Sequence, residues 1–206
     1  MFKILAFAFM IIDHIGLFFF PEMTEFRIIG RLAFPFFAFG IAFGYTKTKN
    51  VIKYGERLLL LALISQPIFS LLLHNGKLNI CFTLFLGLLA ISIYDKVKKP
   101  WLKILGLIIL SLFTFWLKVD YGVYGVLMIL FFYIFRNNIY LIIAQSLLTF
   151  VFVLITPTSF LQIFAIPAFF IIYYFKQYDF KINKVIAYLF YPVHLLIIYL
   201  ILLFLK

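Results

Sequence analysis

The sequence predicts an all-α, polytopic transmembrane bundle of about nine spans, with the N-terminus cytoplasmic and the C-terminus external. Three observations lead there. The 206 residues are 67% apolar and only 12% charged, whereas ordinary globular chains run at roughly 45–50% apolar and about 25% charged. The apolar residues come in long blocks, several near the ~20 needed to cross a hydrocarbon core. The basic residues between the blocks fall almost entirely on alternate loops, as cytoplasmic loops require. Lipid leaves only helices or closed barrels, because the backbone must satisfy its own hydrogen bonds there. A barrel would alternate apolar and polar residues, but Leu58–Ile64 and Leu84–Ile91 are apolar at both parities. The protein is therefore helical.

Charges, prolines and Gly/Asn clusters divide the chain into spans near 4–20, 26–45, 57–74, 79–94, 101–117, 121–135, 139–155, 159–175 and 186–205. The first follows Lys3 and stops at Pro21. It reads as a span and not a cleaved leader, because Asp13 and His14 interrupt its apolar run and no small-residue cleavage site follows. The second carries Arg27 and Arg31, and the third contains Pro67. The sixth is short and meets the fifth across only Lys118–Asp120.

With the N-terminus inside, the cytoplasmic segments collect Lys3; Lys47, Lys49, Lys53 and Arg57; Lys96, Lys98, Lys99 and Lys103; Arg136; and Lys176, Lys181 and Lys184, which is 13 of the 18 Lys and Arg. The opposite side holds Lys77, Lys118 and Lys206, and Arg27 and Arg31 lie inside a span. The net charge of +11 is thus a topology signal and not a nucleic-acid footprint. The single Cys81 excludes an intrachain disulfide and leaves the redox compartment unread. No internal repeat is visible, which argues against inverted-repeat transporters, and residues 1–206 read as a single integral membrane domain.

Ionisable groups in a bilayer are costly and usually face the bundle interior with a partner. The group to explain is Asp13, His14, Arg27, Arg31 and His194, with Gln66, Thr83, Asp120, Tyr121 and Tyr124 as weaker members. At ~1.5 Å per residue, His14 sits about 10 Å below the external surface marked by Pro21. Arg27 and Arg31 follow the same hairpin, Thr83 lies near the external end of its span, and Asp120, Tyr121 and Tyr124 open another from that side. Gln66 and His194 fall nearer mid-membrane. The polar groups therefore converge on the external half. On a helix Asp13 and His14 point about 100° apart, so Asp13 is expected to balance an arginine and leave His14 for other work. Arg27 and Arg31 share a face and repel; they require Asp13, Asp120, Glu22, Glu25 or a ligand as counter-charge.

Structural roles compete with functional ones at each position. The arginines can anchor a helix end to lipid phosphates by snorkelling. Either histidine can be a satisfied core residue. Gln66 can satisfy backbone freed by Pro67, and the segment Lys47–Arg57 can serve topology alone. Their gathering at one depth favours a functional site.

The segments MIIDHIG at 10–16, RIIGRLAFPFFAFGIAFGY at 27–45, RLLLLALISQPIF at 57–69, NICFTLFLGLL at 79–89 and YPVHL at 191–195 together resemble the TraX family. That family comprises polytopic membrane proteins named for the acetylase of conjugative F-type pilin. The C-terminal Tyr191-Pro192-x-His194-Leu195 is also similar to the wider superfamily of multi-span membrane acyltransferases that modify sugars. The resemblance implies an acetyltransferase in a bacterial cytoplasmic membrane, drawing on acetyl-CoA, with a protein N-terminal amine or an envelope glycan as acceptor; no metal is expected.

Acetyl transfer needs a base, stabilisation of the tetrahedral oxyanion and exclusion of water. Histidine suits the base role, so His14 is the first candidate and His194 the second. Arg27 and Arg31 suit the oxyanion or an acidic group of the acceptor, with Asp13 as counter-charge. Gln66, Thr83, Asp120 and Tyr124 are polar groups for binding the acceptor. Lys47, Lys49, Lys53 and Arg57 with Tyr54 form the densest cytoplasmic basic segment and suit the CoA nucleotide. Neither Cys81 nor Ser65 has a base adjacent in sequence, so direct transfer is the simpler scheme. The competing classes are a small transporter or lipid scramblase, which CoA binding would disfavour, and a structural subunit, which a fixed co-purifying partner would favour.

Overall fold

The computed structural model describes residues 2–73, 76–176 and 183–205, with the side chains of Thr158 and Lys184 left aside. Of the basic residues that orient the chain, Lys181 and Lys206 lie outside the described residues. Among those described, every regular element is helical: α1 (Phe2–Phe19), α2 (Thr24–Gly30), α3 (Ala33–Lys47), α4 (Val51–Leu73), α5 (Ile80–Lys96), α6 (Pro100–Trp116), α7 (Gly122–Ile134), α8 (Tyr140–Ile155), a 3₁₀ stretch Pro157–Ala165, α9 (Ile166–Phe175) and α10 (Lys184–Phe204). Each of the nine apolar blocks holds helix. Among the described residues, four helical stretches are long and apolar enough to cross a membrane: Phe2–Phe19, Thr24–Lys47, Val51–Leu73 and Val185–Phe204.

Two blocks expected to be continuous are broken. The second divides at Arg31-Leu32, between α2 and α3. Pro35 accounts for it: a proline lacks the N–H that would reach the carbonyl of Arg31, and its ring crowds that carbonyl. The eighth begins as 3₁₀, with Ser159 at non-helical angles just after Pro157. A third difference is the start of α4. Lys53 and Tyr54, expected in a loop, lie with Arg57 in its first two turns. The Asn50 side chain caps that end by accepting the Lys53 N–H at 2.9 Å, which satisfies a helix-start donor.

The chain packs as two compact units, Met1–Gly40 with Phe131–Asn183, and Ile41–Leu130 with Lys184–Lys206. The core of the first is aromatic. Phe2 stacks on Phe36 at 5.6 Å and meets Phe39 edge-on at 5.4 Å. Phe132 meets Phe39 at 5.8 Å and Phe169 at 6.1 Å. On α1, Phe2, Ala6 and Met10 make the buried stripe, the spacing of one helix face. In the second unit α5 is well enclosed, burying Cys81, Thr83, Leu84, Leu86, Gly87, Leu88, Ala90 and Ile91. By contrast α6 buries only Leu110 and Thr114. The turn before α5 and the turn before α7 are joined by a parallel bridge between Leu78 and Val119.

Candidate functional site

In the first unit the α1–α2 hairpin turns tightly at Pro21, with the Met23 N–H donating to the Phe20 carbonyl at 3.0 Å. This brings Asp13 opposite both arginines. Arg27 donates to Oδ2 of Asp13 at 2.7 Å and Arg31 to Oδ1 at 2.6 Å. Arg27 also donates to the Asp13 carbonyl at 3.1 Å, and Arg31 Nε donates to the Arg27 carbonyl at 3.2 Å. The expectation that Asp13 balances an arginine is met and extended: one carboxylate is shared by two guanidiniums, oxygen by oxygen. That sharing relieves the repulsion of an i, i+4 arginine pair. The three side chains are partly buried, with 15% of Asp13, 15% of Arg31 and 23% of Arg27 exposed.

The helices approach closely enough for this only because of two glycines. A Cβ on Gly30 would stand 2.2 Å from Asp13 Oδ1, and one on Gly16 would stand 2.3 Å from Phe26 Cβ. Arg31 itself caps α2 at the break before Pro35, so the break sets where the second guanidinium leaves the helix. His14 follows Asp13 on α1 and is partly buried, with its ring 6.1 Å from that of Phe18.

The second unit holds a neutral network. Gln66, one residue before Pro67 on α4, donates to Ser70 Oγ and to the Lys77 carbonyl, each at 3.0 Å. Its Oε1 accepts from the backbone and the side-chain amide of Asn79, each at 2.9 Å. Asn79 donates also to the Ala62 carbonyl at 2.8 Å and caps α5 by accepting the Cys81 N–H at 2.9 Å. Of the roles open to Gln66, its bonds show a structural one, though not to the carbonyl freed by Pro67; it ties α4 to the chain entering α5, and both its N–H groups are engaged. Ser65 donates to the Leu61 carbonyl of its own helix at 2.7 Å.

Thr83 donates to the Asp120 carbonyl, and Asp120 Oδ1 accepts the Tyr121 N–H at 3.1 Å. Two non-glycine residues of this turn, Lys118 and Tyr121, have φ of +50° and +59°, a region that L-residues enter at a cost. Leu78 holds the turn from both sides, donating to the Lys118 carbonyl at 3.3 Å and accepting from the Asp120 N–H at 2.8 Å. Tyr124, buried in the first turn of α7, lies 6.5 Å from the Tyr121 ring.

On α10, His194 is buried between the rings of Phe190 (5.6 Å) and Tyr191 (5.5 Å), and Nδ1 lies 3.1 Å from the Phe190 carbonyl. When the ring is neutral, donation from Nδ1 to that carbonyl makes Nε2 the acceptor. The basic segment is dispersed by comparison. Lys47 lies over the Phe43 ring at 5.4 Å, and Lys49 and Lys53 are exposed. Tyr54 is buried, with its hydroxyl where a Cβ on Gly44 would be 2.7 Å away. Arg57 lies 5.7 Å over the Tyr54 ring and donates to the Tyr188 hydroxyl at 3.2 Å.

The structure therefore unites Asp13, Arg27 and Arg31, and separately pairs Thr83 with Asp120 and Arg57 with Tyr54. Sequence reasoning missed Asn79, Tyr188 and the closeness at Gly30. The signal for Asn79 was present, since an Asn before an apolar helical run is a typical N-cap. That for Tyr188 was not, because it lies 131 residues from its partner.

Comparison with known proteins places these features in a lineage. An uncharacterised protein of Rickettsia prowazekii (strain Madrid E) is 35% identical over 127 residues, 58% of this chain and 48% of that protein. A probable fimbrial assembly protein FimC, serogroup H1, of Dichelobacter nodosus is 30% identical over 141 residues, 61% of this chain and 57% of that protein. The chain thus spans about half the length of the curated relatives it matches. No solved structure matches it. The sequence model described as TraX protein matches residues 1–202, a stretch that takes in the shared Asp13 carboxylate, the broken α2–α3 segment and His194, and the chain belongs to the TraX family.

Proposed function

We propose that this TraX family member is a membrane-embedded acyltransferase, moving an acetyl group from cytoplasmic acetyl-CoA to an amine or hydroxyl acceptor in the external half of a bacterial cytoplasmic membrane. The observation that carries the reading is the Asp13–Arg27–Arg31 cluster beside His14, on helical stretches apolar enough to cross a membrane. Ionised groups in such helices are expensive, and they are kept where function needs them. In this scheme His14 takes the proton of the acceptor as its nitrogen or oxygen attacks the thioester carbonyl. The guanidiniums of Arg27 and Arg31 stabilise the oxyanion. The C–S bond then breaks, and the departing thiolate takes up a proton to leave as CoA. His194, with Nε2 as acceptor, is the second candidate base. Lys47, Lys49, Lys53 and Arg57 hold the nucleotide phosphates, with Tyr54 orienting Arg57 through its ring. Gln66, Thr83, Asp120 and Tyr124 shape the acceptor side; for Gln66 this role is indirect, since its amide is engaged within the protein.

A protein acceptor belonging to a surface appendage suits the fimbrial assembly named for the Dichelobacter relative; an envelope glycan is the other candidate. The scheme uses nine crossings with the N-terminus inside. Single cysteines placed at Lys98 in a Cys81-free chain should resist an impermeant thiol reagent in intact cells, and labelling there would overturn the orientation.

The deciding experiment is thermal unfolding of purified protein with and without acetyl-CoA, followed by mass spectrometry of envelope proteins and glycans from cells with and without the gene. A ligand of the folded state at 100-fold excess over its Kd adds about 2.7 kcal/mol of apparent stability. No shift with CoA would remove the enzyme reading. The transporter or scramblase alternative would then lead, because helices broken at α2–α3 and at Pro157–Ala165 also occur where membrane proteins line substrate paths.

A further inference from the structure

We propose that the α5–α6 turn and the outward face of α6 form a binding site for an anionic phospholipid. The turn contains only Val97, Lys98 and Lys99, and with Lys96 and Lys103 it sets four ammonium groups within eight residues. Lys96, Lys98 and Lys99 are exposed. Lys103 is held in place, its Nζ 4.4 Å over the Tyr94 ring. Asp95, the one acid of this stretch, accepts the Tyr45 hydroxyl at 2.8 Å, so its carboxylate is drawn toward α3.

The second half of the site is apolar. Gly106 brings α6 close to α5, a Cβ there lying 3.1 Å from Ile93 Cγ2. The opposite side of α6 is exposed at Leu105, Ile108, Ile109 and Leu112, and it is bracketed by Trp101 (62% exposed) and Trp116 (74% exposed). Tryptophan favours membrane–water boundaries, and fifteen helical steps between the two span about 22 Å. An amphiphile with a negative headgroup at the lysines and acyl chains along α6 matches both halves. A soluble anion would use only the first. Clustered lysines at a membrane surface each contribute about 1 kcal/mol toward anionic lipid. The site does not depend on acetyl transfer.

The test is titration of dioleoyl-phosphatidylglycerol into the full-length protein in neutral detergent, reading bound lipid by native mass spectrometry and stability by thermal unfolding. Wild-type protein should bind and be stabilised, while dioleoyl-phosphatidylcholine and inorganic phosphate should do neither. Lys98→Gln/Lys99→Gln should weaken binding about thirtyfold, and Lys98→Arg/Lys99→Arg should retain it. Lys77→Gln/Lys118→Gln, which removes the same charge elsewhere, should bind the lipid as wild type does. Equal loss in both Gln variants would reduce the effect to net charge, and full binding by Lys98→Gln/Lys99→Gln would refute the site.

Discussion

The α1–α2 and α4–α5 hairpins face the same difficulty, polar side chains on strongly apolar helices, and meet it in different ways. The first uses ionised groups, one carboxylate between two guanidiniums. The second uses neutral amides: Gln66 and Asn79 bond each other and close the chain on itself through the carbonyls of Ala62 and Lys77. A satisfied neutral network is the low-risk device for fixing a fold in a low dielectric. A charged cluster costs more desolvation for no more rigidity. Under the proposed function the first hairpin serves chemistry and the second architecture, and substitutions in each should separate the two roles.

The largest effect belongs to His14→Ala. Acetyl transfer should fall ~10²–10⁴-fold, while CoA binding and thermal unfolding stay near wild type; both are measurable on the same purified protein. Near wild-type turnover would move the base role to His194. Next is Asp13→Asn, which strips two guanidiniums of their shared anion. It should lower unfolding free energy by about 3 kcal/mol, the lower end for breaking a buried pair, as read by thermal unfolding in detergent, and an unchanged midpoint would mean the arginines have other effective counter-charges. Asn79→Ala should cost about 2 kcal/mol, because it removes a helix cap and the side-chain amide that donates to Gln66 Oε1 and the Ala62 carbonyl. Transfer per folded molecule should be unchanged, and a selective loss of turnover would erase the distinction between the hairpins. Smallest is Gly30→Ala, at about 1–2 kcal/mol of overpacking. Its signature is a turnover loss larger than the stability loss, since the added methyl pushes directly on Asp13.

Much of this was legible in the sequence, for physical reasons. Apolar blocks between charges locate the helices because lipid tolerates nothing else, and the charged residues within them stand out against that background. What was not legible turned on local geometry. Pro35 looked like the interior of a span, yet its missing N–H ends α2 at Arg31. The charge at Lys53 looked like loop, although Asn50 starts a helix before it. At Asp13 the sequence supplied the ion pair but not its stoichiometry, because sharing depends on the space that Gly30 leaves. Gln66 was noticed for its neighbour Pro67, whereas its partners lie in the chain leading to α5.

The Gln66–Asn79 bonds have a consequence for how the chain is built. They use only residues 62 to 81, so this network can form as soon as the start of α5 has been synthesised, while Thr83 must wait for the Asp120 carbonyl. The turn at Lys118–Tyr121 emerges about forty residues later and finds Leu78 already presented, ready to accept one backbone hydrogen and donate another. Leu78 therefore precedes, in chain order, the turn whose left-handed residues its hydrogen bonds bracket.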